Sequence, residues 1–525
     1  MTRAENAFII LLTTIAQRLL LKSFNNCFHA KNNRAEQTLH RNGELNEQNE
    51  YFFQQNHFFI AAVCSLVCGC TSGSAQETPL PKNTPQITPA PIPTGAVSEF
   101  PTCTAPAITD APNHDNDSET VLTAEQISAM NAAFLQFPGE SAGLFDLASF
   151  KNGISAERLK ALIARGNLPS ANGYVGQTPL SAQQRNEILN NRALDAVQGN
   201  SNVRFGFCVQ RSDLRSVPFA QRVTSKPNDR FGDALQESVV LQNEPLAVLH
   251  ESADGKFLFV AAYFYVGWIN SDSVALCSSF KQWQALLAPE NDFLVVTGSS
   301  FRLCRDPYEP LVSELELTMG MRLSLAEKPG TVKSVRGRMS YDNYIVNVPS
   351  RAADGSLKFI EALVPISRDV HIGYLPFTYS NVIRLADKTR GEIYGWGGML
   401  DARDCSALVM EIYRCFGIML PRNTSDLAKL PEKYAADVSS LSAEAKRETI
   451  LSQPAGVILF FPGHVMIYYG SDGNDLLCLS AAGKFAPVQS SATQNVYTVE
   501  VCSLDVRLSN GKTWLEAVEK IIRIG

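Results

Sequence analysis

The residues best placed to do chemistry are Cys405 and His464. Cys405 sits in Asp404-Cys405-Ser406, just after the glycine-rich stretch Tyr394-Gly-Trp-Gly-Gly398. It opens a segment with apolar residues at Leu408, Val409, Ile412 and Phe416. That spacing predicts a helix closed by Gly417, with Cys405 in its first turn. Unpaired N–H groups and the helix dipole there favour the thiolate, the nucleophilic form of cysteine. A lone cysteine is more often a small buried hydrophobe, but Asp and Ser on either side argue against simple core packing. A thiol nucleophile needs a base, and beyond residue 118 the histidines are His250, His371 and His464. His464 follows Gly456-Val-Ile-Leu-Phe-Phe-Pro-Gly463, read as a strand and tight turn, and begins the strand Val465-Met-Ile-Tyr-Tyr469. His250 and His371 fall in β-rich stretches and read as structural.

These residues must be positioned by a large chain. At about 150 residues per domain, 525 residues suggest three or four domains. With 45% hydrophobic and 19% charged residues the composition is that of a globular protein. The 46 basic and 52 acidic side chains give a net charge of −6, so no basic field exists to hold nucleic acid. The 12 cysteines are too sparse for a disulfide-built scaffold. No CxxC stands beside a second CxxC or a CxxH, so no zinc site is expected.

The apolar stretches Ala7 to Leu21 and Phe58 to Gly69 are shorter than the ~20 residues of a spanning helix. The second has the length of a signal-peptide core and ends in small residues. It resembles a bacterial lipoprotein signal, with Val67-Cys68-Gly69-Cys70 as lipobox. The resemblance implies a lipid on Cys70, with Cys64 and Cys68 as weaker candidates, and a membrane held through that lipid anchor. Thr71 after Cys70 leans towards the outer membrane. A signal with a long polar stretch before it points to a start downstream of Met1, at a non-standard codon because no Met occurs before Met130. Residues 71–118 are rich in Pro and Thr and read as an extended tether after the 1–70 leader.

Thr123-Ala-Glu-Gln126 and Ser181-Ala-Gln-Gln184 fit capping boxes, and Ser155 can cap a third helix, so 119–200 reads as a helical module. Leu246 to Val260 is two apolar runs around Asp254-Gly255, a hairpin signal, and Tyr263 to Ile269 follows as a third strand. This order resembles a bacterial SH3-like barrel, assigned to 201–288. A second SH3-like barrel is assigned to 289–386 on a turn at Asp354-Gly355 and the closing His371-Ile-Gly-Tyr-Leu-Pro376.

A helix-borne Cys followed some distance on by a strand-borne His is the order found in papain-like enzymes. The motifs Tyr394-Gly-Trp-Gly-Gly398, Asp404-Cys405-Ser406, Leu420-Pro-Arg-Asn-Thr-Ser425 and Phe460-Phe-Pro-Gly-His464 resemble those of the NlpC-type cell-wall cysteine peptidases. The expected fold class is therefore multidomain α+β: helical N-terminal module, two SH3-like β-barrels and a C-terminal papain-like domain over 387–525. The resemblance implies Cys405 as nucleophile and His464 as general base. Tyr394 would support the oxyanion or orient substrate, and Asp404 and Ser406 would hold the free amine of an N-terminal L-Ala. The implied partners are peptidoglycan stem peptides, cut between γ-D-Glu and the diamino acid at the periplasmic side of the envelope, with no metal or organic cofactor. In related enzymes the first barrel walls the cleft, which makes Tyr263 and Tyr265 candidates for that wall.

Two positions depart from the family. Ala407 replaces the glycine usual after Cys-Ser, which a helix tolerates. The strand after the base, Leu476-Leu-Cys-Leu-Ser480, lacks the His that often fixes the imidazole tautomer. Ser480 is the nearest polar candidate for that role. Cys415, Cys478 and Cys502 read as core. Two alternatives compete: a non-catalytic murein-binding protein with a decayed papain-like domain, and an amidase or acyl transferase on the same fold.

Overall fold

The computed structural model describes residues 119–525 except 170–172, 289–291, 474 and 491. The leader, the lipobox with Cys70 and the 71–118 linker lie outside the described residues.

Helices α1 (Ala124–Gln136), α2 (Ala156–Ile163) and α3 (Ala182–Asn190) each start at a side-chain cap. Thr123 and Ser181 form capping boxes with Gln126 and Gln184, and Ser155 accepts from the Arg158 N–H. Their apolar residues enter different cores. Ile127, Met130 and Phe134 of α1 join the largest apolar cluster, Leu159 and Leu162 of α2 pack under the first barrel, and Ile188 of α3 meets Val217, Val223 and Leu235.

The first barrel comprises β1 (Arg204–Cys208), β2 (Ser212–Arg215), β3 (Gln236–Val240), β4 (Pro245–Glu251), β5 (Phe257–Ala262), β6 (Tyr265–Asn270) and β7 (Val274–Leu276). They form one sheet in the order β7-β1-β4-β5-β6-β2-β3. The β4–β5 hairpin turns at Asp254-Gly255, where Gly255 takes φ +68°, a left-handed conformation that glycine adopts without a Cβ clash. The third strand starts later than the sequence suggests. Tyr263 and Phe264 form the tight turn between β5 and β6, and both are buried.

The next domain packs around one apolar cluster that includes Leu294, Val296, Leu323, Val346 and Val364. It has a three-stranded sheet, with β8 (Phe293–Val296) between β9 (Arg322–Ser324) and a later strand. It also has a long hairpin of β10 (Asn343–Arg351) and β11 (Leu357–Pro365), turning at Asp354-Gly355. That later strand, β12 (Val370–Ile372), carries His371, whose Nδ1 bonds the Gly373 carbonyl at 3.1 Å. His250 Nε2 likewise bonds the Arg192 carbonyl at 3.0 Å. Both histidines act locally in structure.

The C-terminal domain has α4 (Tyr379–Asp387) and α5 (Cys405–Arg414) against an antiparallel sheet. Its strands are β13 (Ala435–Asp437), β14 (Ile458–Phe461), β15 (His464–Asp472), β16 (Asp475–Phe485), β17 (Gln494–Ser503) and β18 (Lys520–Ile522), ordered β13-β18-β14-β15-β16-β17. Leu408, Val409 and Ile412 of α5 are fully buried in a cluster that also takes Leu214 and Val240 from the first barrel, each burial being worth about 2 kcal/mol. The helix that begins at Cys405 and the barrel therefore share a core.

Three buried arginines fix α5 between the two β-domains. Arg403 Nη2 donates to the Ser299 carbonyl at 2.7 Å, and its Nε and Nη1 reach Glu411 and Glu392 at 2.6 Å each. Arg414 Nε donates to the Tyr263 hydroxyl at 2.9 Å and its guanidinium pairs with Glu244. Arg422 Nε donates to Ser238 Oγ of β3 at 2.8 Å. Gly320 of the second β-domain lies so close that a Cβ there would stand 2.9 Å from the Glu411 carbonyl oxygen. Among the described residues, no helix is long and apolar enough to cross a membrane.

Candidate active site

Cys405 is the first residue of α5, and Asp404 is its N-cap, accepting from Ala407 N–H at 2.9 Å. The same carboxylate accepts from Gly397 N–H at 2.9 Å, and it takes both terminal nitrogens of Arg422, at 3.0 and 2.7 Å. Ser406 Oγ donates to Asp404 at 3.3 Å and accepts from Arg422 at 2.8 Å. Burial pushes the Asp404 carboxyl up, but Arg422 and the two backbone N–H groups outweigh it and hold the group below its ordinary value. The Asp404 and Ser406 side chains are both buried, and their polar atoms join the start of α5 to Arg422. Arg422 stands within the motif Leu420 to Ser425, but only the folded chain shows what its guanidinium faces.

The loop before α5 is shaped by glycine. Gly397 and Gly398 have φ of +58° and +89°, and a Cβ on Gly398 would meet Val239 of β3 at 2.5 Å. The loop docks on the barrel through Gln236 Nε2 to the Gly397 carbonyl at 3.0 Å, Trp396 Nε1 to the Gln236 carbonyl at 3.2 Å, and the Arg211–Asp401 pair at 2.8 Å.

His464 opens β15, and its Nε2 lies 2.7 Å from Ser480 Oγ on β16. Ile467 pairs with Leu479, so Ser480 lies near His464 across the ladder. The Val465 N–H, next to His464 in the chain, lies against the Cys405 thiol. The imidazole packs beside the rings of Trp514 and Phe461, with centroids 4.9 and 5.2 Å away. Burial lowers its pKa to about 4, opposed by the Asp404 charge. Burial also pushes the Cys405 thiol up to about 12, aided by the Asp404 carboxylate and only partly offset by Val465 N–H, Arg422 and Ser406 N–H. The first-turn position favours a thiolate, whereas desolvation favours the neutral thiol and the neutral imidazole. Burial raises the Tyr394 hydroxyl far above its usual value, with the Cys405 and Asp404 charges adding to the effect, so it stays a neutral donor.

His464, Tyr394 and Trp396 line a cleft of about 730 Å³ between the C-terminal domain and the first barrel. The barrel contributes Phe231, Asp233, Gln236 and Glu237. Phe231 stacks on Tyr497 of β17 with centroids 4.3 Å apart and planes at 15°. Glu237 Oε2 accepts from the Tyr265 hydroxyl at 2.6 Å. Of the two tyrosines proposed for the wall, Tyr265 thus supports a cleft carboxylate, while Tyr263 is buried against Arg414. Glu237 and Phe231 escape sequence reasoning because nothing in their local pattern marks them.

Cys415 is buried, and Cys478 and the partly exposed Cys502 face each other across β16–β17 with sulfurs 3.7 Å apart.

Residues 391–502 match the NlpC/P60 family, and residues 224–270 match the SH3 domain of SH3b1 type. An NlpC/P60 endopeptidase from Photobacterium damselae subsp. piscicida is similar in structure, with a TM-score of 0.61 at 16% identity, over 78% of this chain and 95% of that one. A further similar structure is an NlpC/P60 family protein from Bacillus cereus ATCC 10987, at 17% identity and TM-score 0.42, over 61% of this chain and 99% of that one. No curated protein matches the chain. At 16% identity the likeness to the Photobacterium structure establishes the fold alone, and the family matches carry the assignment: this is a multidomain protein with an SH3-like domain followed by a C-terminal domain of the NlpC/P60 family, a cysteine-peptidase group.

Proposed function

We propose that the protein is a murein endopeptidase that hydrolyses the bond between γ-D-Glu and the diamino acid of peptidoglycan stem peptides. The observation that carries this reading is the His464 Nε2–Ser480 Oγ hydrogen bond beside the Cys405 helix start, in a cleft of an NlpC/P60 domain. With Nε2 engaged by Ser480, Nδ1 is the ring nitrogen left to take the thiol proton. Because burial favours the neutral forms of both thiol and imidazole, proton transfer accompanies attack on the carbonyl. The Tyr394 hydroxyl donates to the developing oxyanion. The imidazolium then protonates the leaving amine, and water hydrolyses the thioester with His464 again as base.

The barrel wall supports a preference for short peptides with a free N-terminus. Glu237, braced by Tyr265, places a carboxylate in the cleft where a terminal ammonium can pair with it, taking the role expected of Asp404 and Ser406. The leader's resemblance to a lipoprotein signal, with Cys70 lipidated, supports a site of action in the bacterial envelope on the periplasmic side.

The test is mass spectrometry of products from L-Ala-γ-D-Glu-diamino acid tripeptide with the unaltered protein and with Cys405→Ala. Release of L-Ala-D-Glu by the unaltered protein alone is expected. No cleavage of this peptide or of its amino-blocked form would favour a non-catalytic murein-binding protein. Release of intact stem peptide from sugar, or formation of a new amide, would favour an amidase or a transferase.

A further inference from the structure

Four cleft side chains can carry charge: Asp233, Glu237, Lys484 and, at acid pH, His464. Asp233 is committed, paired with Arg215 at 3.0 Å and accepting from the Val223 and Leu235 N–H groups. His464 is bound to Ser480. That leaves one carboxylate, Glu237, which accepts from the neutral Tyr265 hydroxyl, and one ammonium, Lys484; neither makes an ion pair among the described residues. A cleft whose uncommitted charges are one of each sign suits a peptide with charges of both signs.

Lys484 is an exposed lysine near the end of β16. It pairs across the β16–β17 ladder with Asn495, and both line the cleft. Its neighbour Gly483 lies under the rings of Tyr394 and Tyr497, where a Cβ would stand 3.7 and 3.9 Å from their carbons. Phe231 stacks on the Tyr497 ring. Lys484 and Asn495 are both exposed, so the ammonium and the amide are accessible to a charged ligand group in the cleft.

The position also suits the chemistry. Lys484 is four residues along β16 from Ser480, which fixes the base. Four residues of strand span roughly 13 Å. An extended lysine covers about half of that, and the residue after the scissile bond covers most of the rest. We propose that Lys484 and Asn495 form a subsite for a carboxylate on the residue that follows the scissile bond. This deepens the peptidase reading above and rests on it. In a stem peptide that carboxylate comes either from the C-terminal α-carboxylate or from the side chain of a dicarboxylic diamino acid.

The experiment separates the two sources. Four peptides are compared: L-Ala-γ-D-Glu followed by L-Lys or by meso-diaminopimelate, each with a free or an amidated terminal α-carboxylate. Each is assayed with the full chain, Lys484→Met and Lys484→Arg. Lys484→Met is expected to raise KM about tenfold on peptides bearing the recognised carboxylate, with kcat within about twofold, and Lys484→Arg to restore most of the loss. The unaltered protein should lose a similar factor when that carboxylate is removed, and Lys484→Met should be indifferent to its removal. Sensitivity to amidation identifies the α-carboxylate, and sensitivity to the Lys-for-diaminopimelate exchange identifies the side chain. Cleavage of all four peptides with equal effects of Lys484→Met, or with none, overturns the subsite and leaves the peptidase reading intact. Failure of the unaltered protein to cleave any of them overturns both.

Discussion

His464 Nε2 and Ser480 Oγ stand 2.7 Å apart on neighbouring strands, so a serine hydroxyl is placed to hold the imidazole. A hydroxyl can fix the tautomer without carrying charge. Ser480→Ala should lower kcat roughly ten- to hundredfold, less than loss of the base itself, and leave KM nearly unchanged. Steady-state kinetics on the tripeptide check this, and an unchanged kcat would mean that Ser480 does not orient the base.

Burial sets the pH range. Catalysis needs the neutral imidazole, and the folded His464 keeps it down to about pH 4. kcat/KM should therefore fall as pH drops through about 4, well below the 6.5 of an ordinary histidine. The same shift acts on stability. The unfolded imidazole binds a proton near 6.5, so this contribution is complete above that pH and declines from there to about 4. A rate profile together with thermal melts between pH 3 and 8 tests both signs.

Arg422 holds Asp404 in a fully desolvated pair that also caps the nucleophile's helix. Arg422→Met would leave the carboxylate buried without its counter-charge, a change that costs about 3–5 kcal/mol. Calorimetry should show a marked loss of melting temperature together with loss of activity, and Arg422→Lys should recover part of each. An unchanged melting temperature would contradict the role assigned to the pair.

The raised thiol makes Cys405 slow towards alkylating reagents at neutral pH, because little thiolate is present. Among the cysteines of the described residues Cys304 is the exposed one and should react before Cys405. Peptide mapping after brief iodoacetamide treatment is expected to show labelled Cys304 with activity retained. Rapid labelling of Cys405 in the folded protein would show that its thiolate is stabilised after all. For the same reason, slow alkylation does not mark a decayed site, and product analysis is the decisive test of catalysis.

Phe231 joins the first barrel to β17 through its stack on Tyr497, an arrangement worth about 0.5–1.5 kcal/mol. Phe231→Ala should raise KM for short peptides severalfold, with kcat within about twofold, because the cleft loses part of its wall. Kinetics on peptides of increasing length check this, and unaltered KM values throughout would separate the stack from substrate selection.

Local features of the site were legible in the sequence. The apolar spacing of Leu408, Val409 and Ile412 placed a helix after the glycine loop with Cys405 at its start, and the capping boxes at Thr123 and Ser181 and the Asp254-Gly255 turn form as their residues dictate. These are short-range properties, set by side chains within a few positions of one another. What the folded chain decided lies across long separations. Strand register put Ser480 against His464, domain docking brought Glu237 into the cleft and Tyr263 out of it, and Arg422 occupied Asp404 and Ser406. Burial of the helix start then opposes the thiolate that the first-turn position favours. Pattern and propensity act along the chain, whereas register, desolvation and charge pairing depend on which distant segments meet, and those terms exist only once the domains have packed.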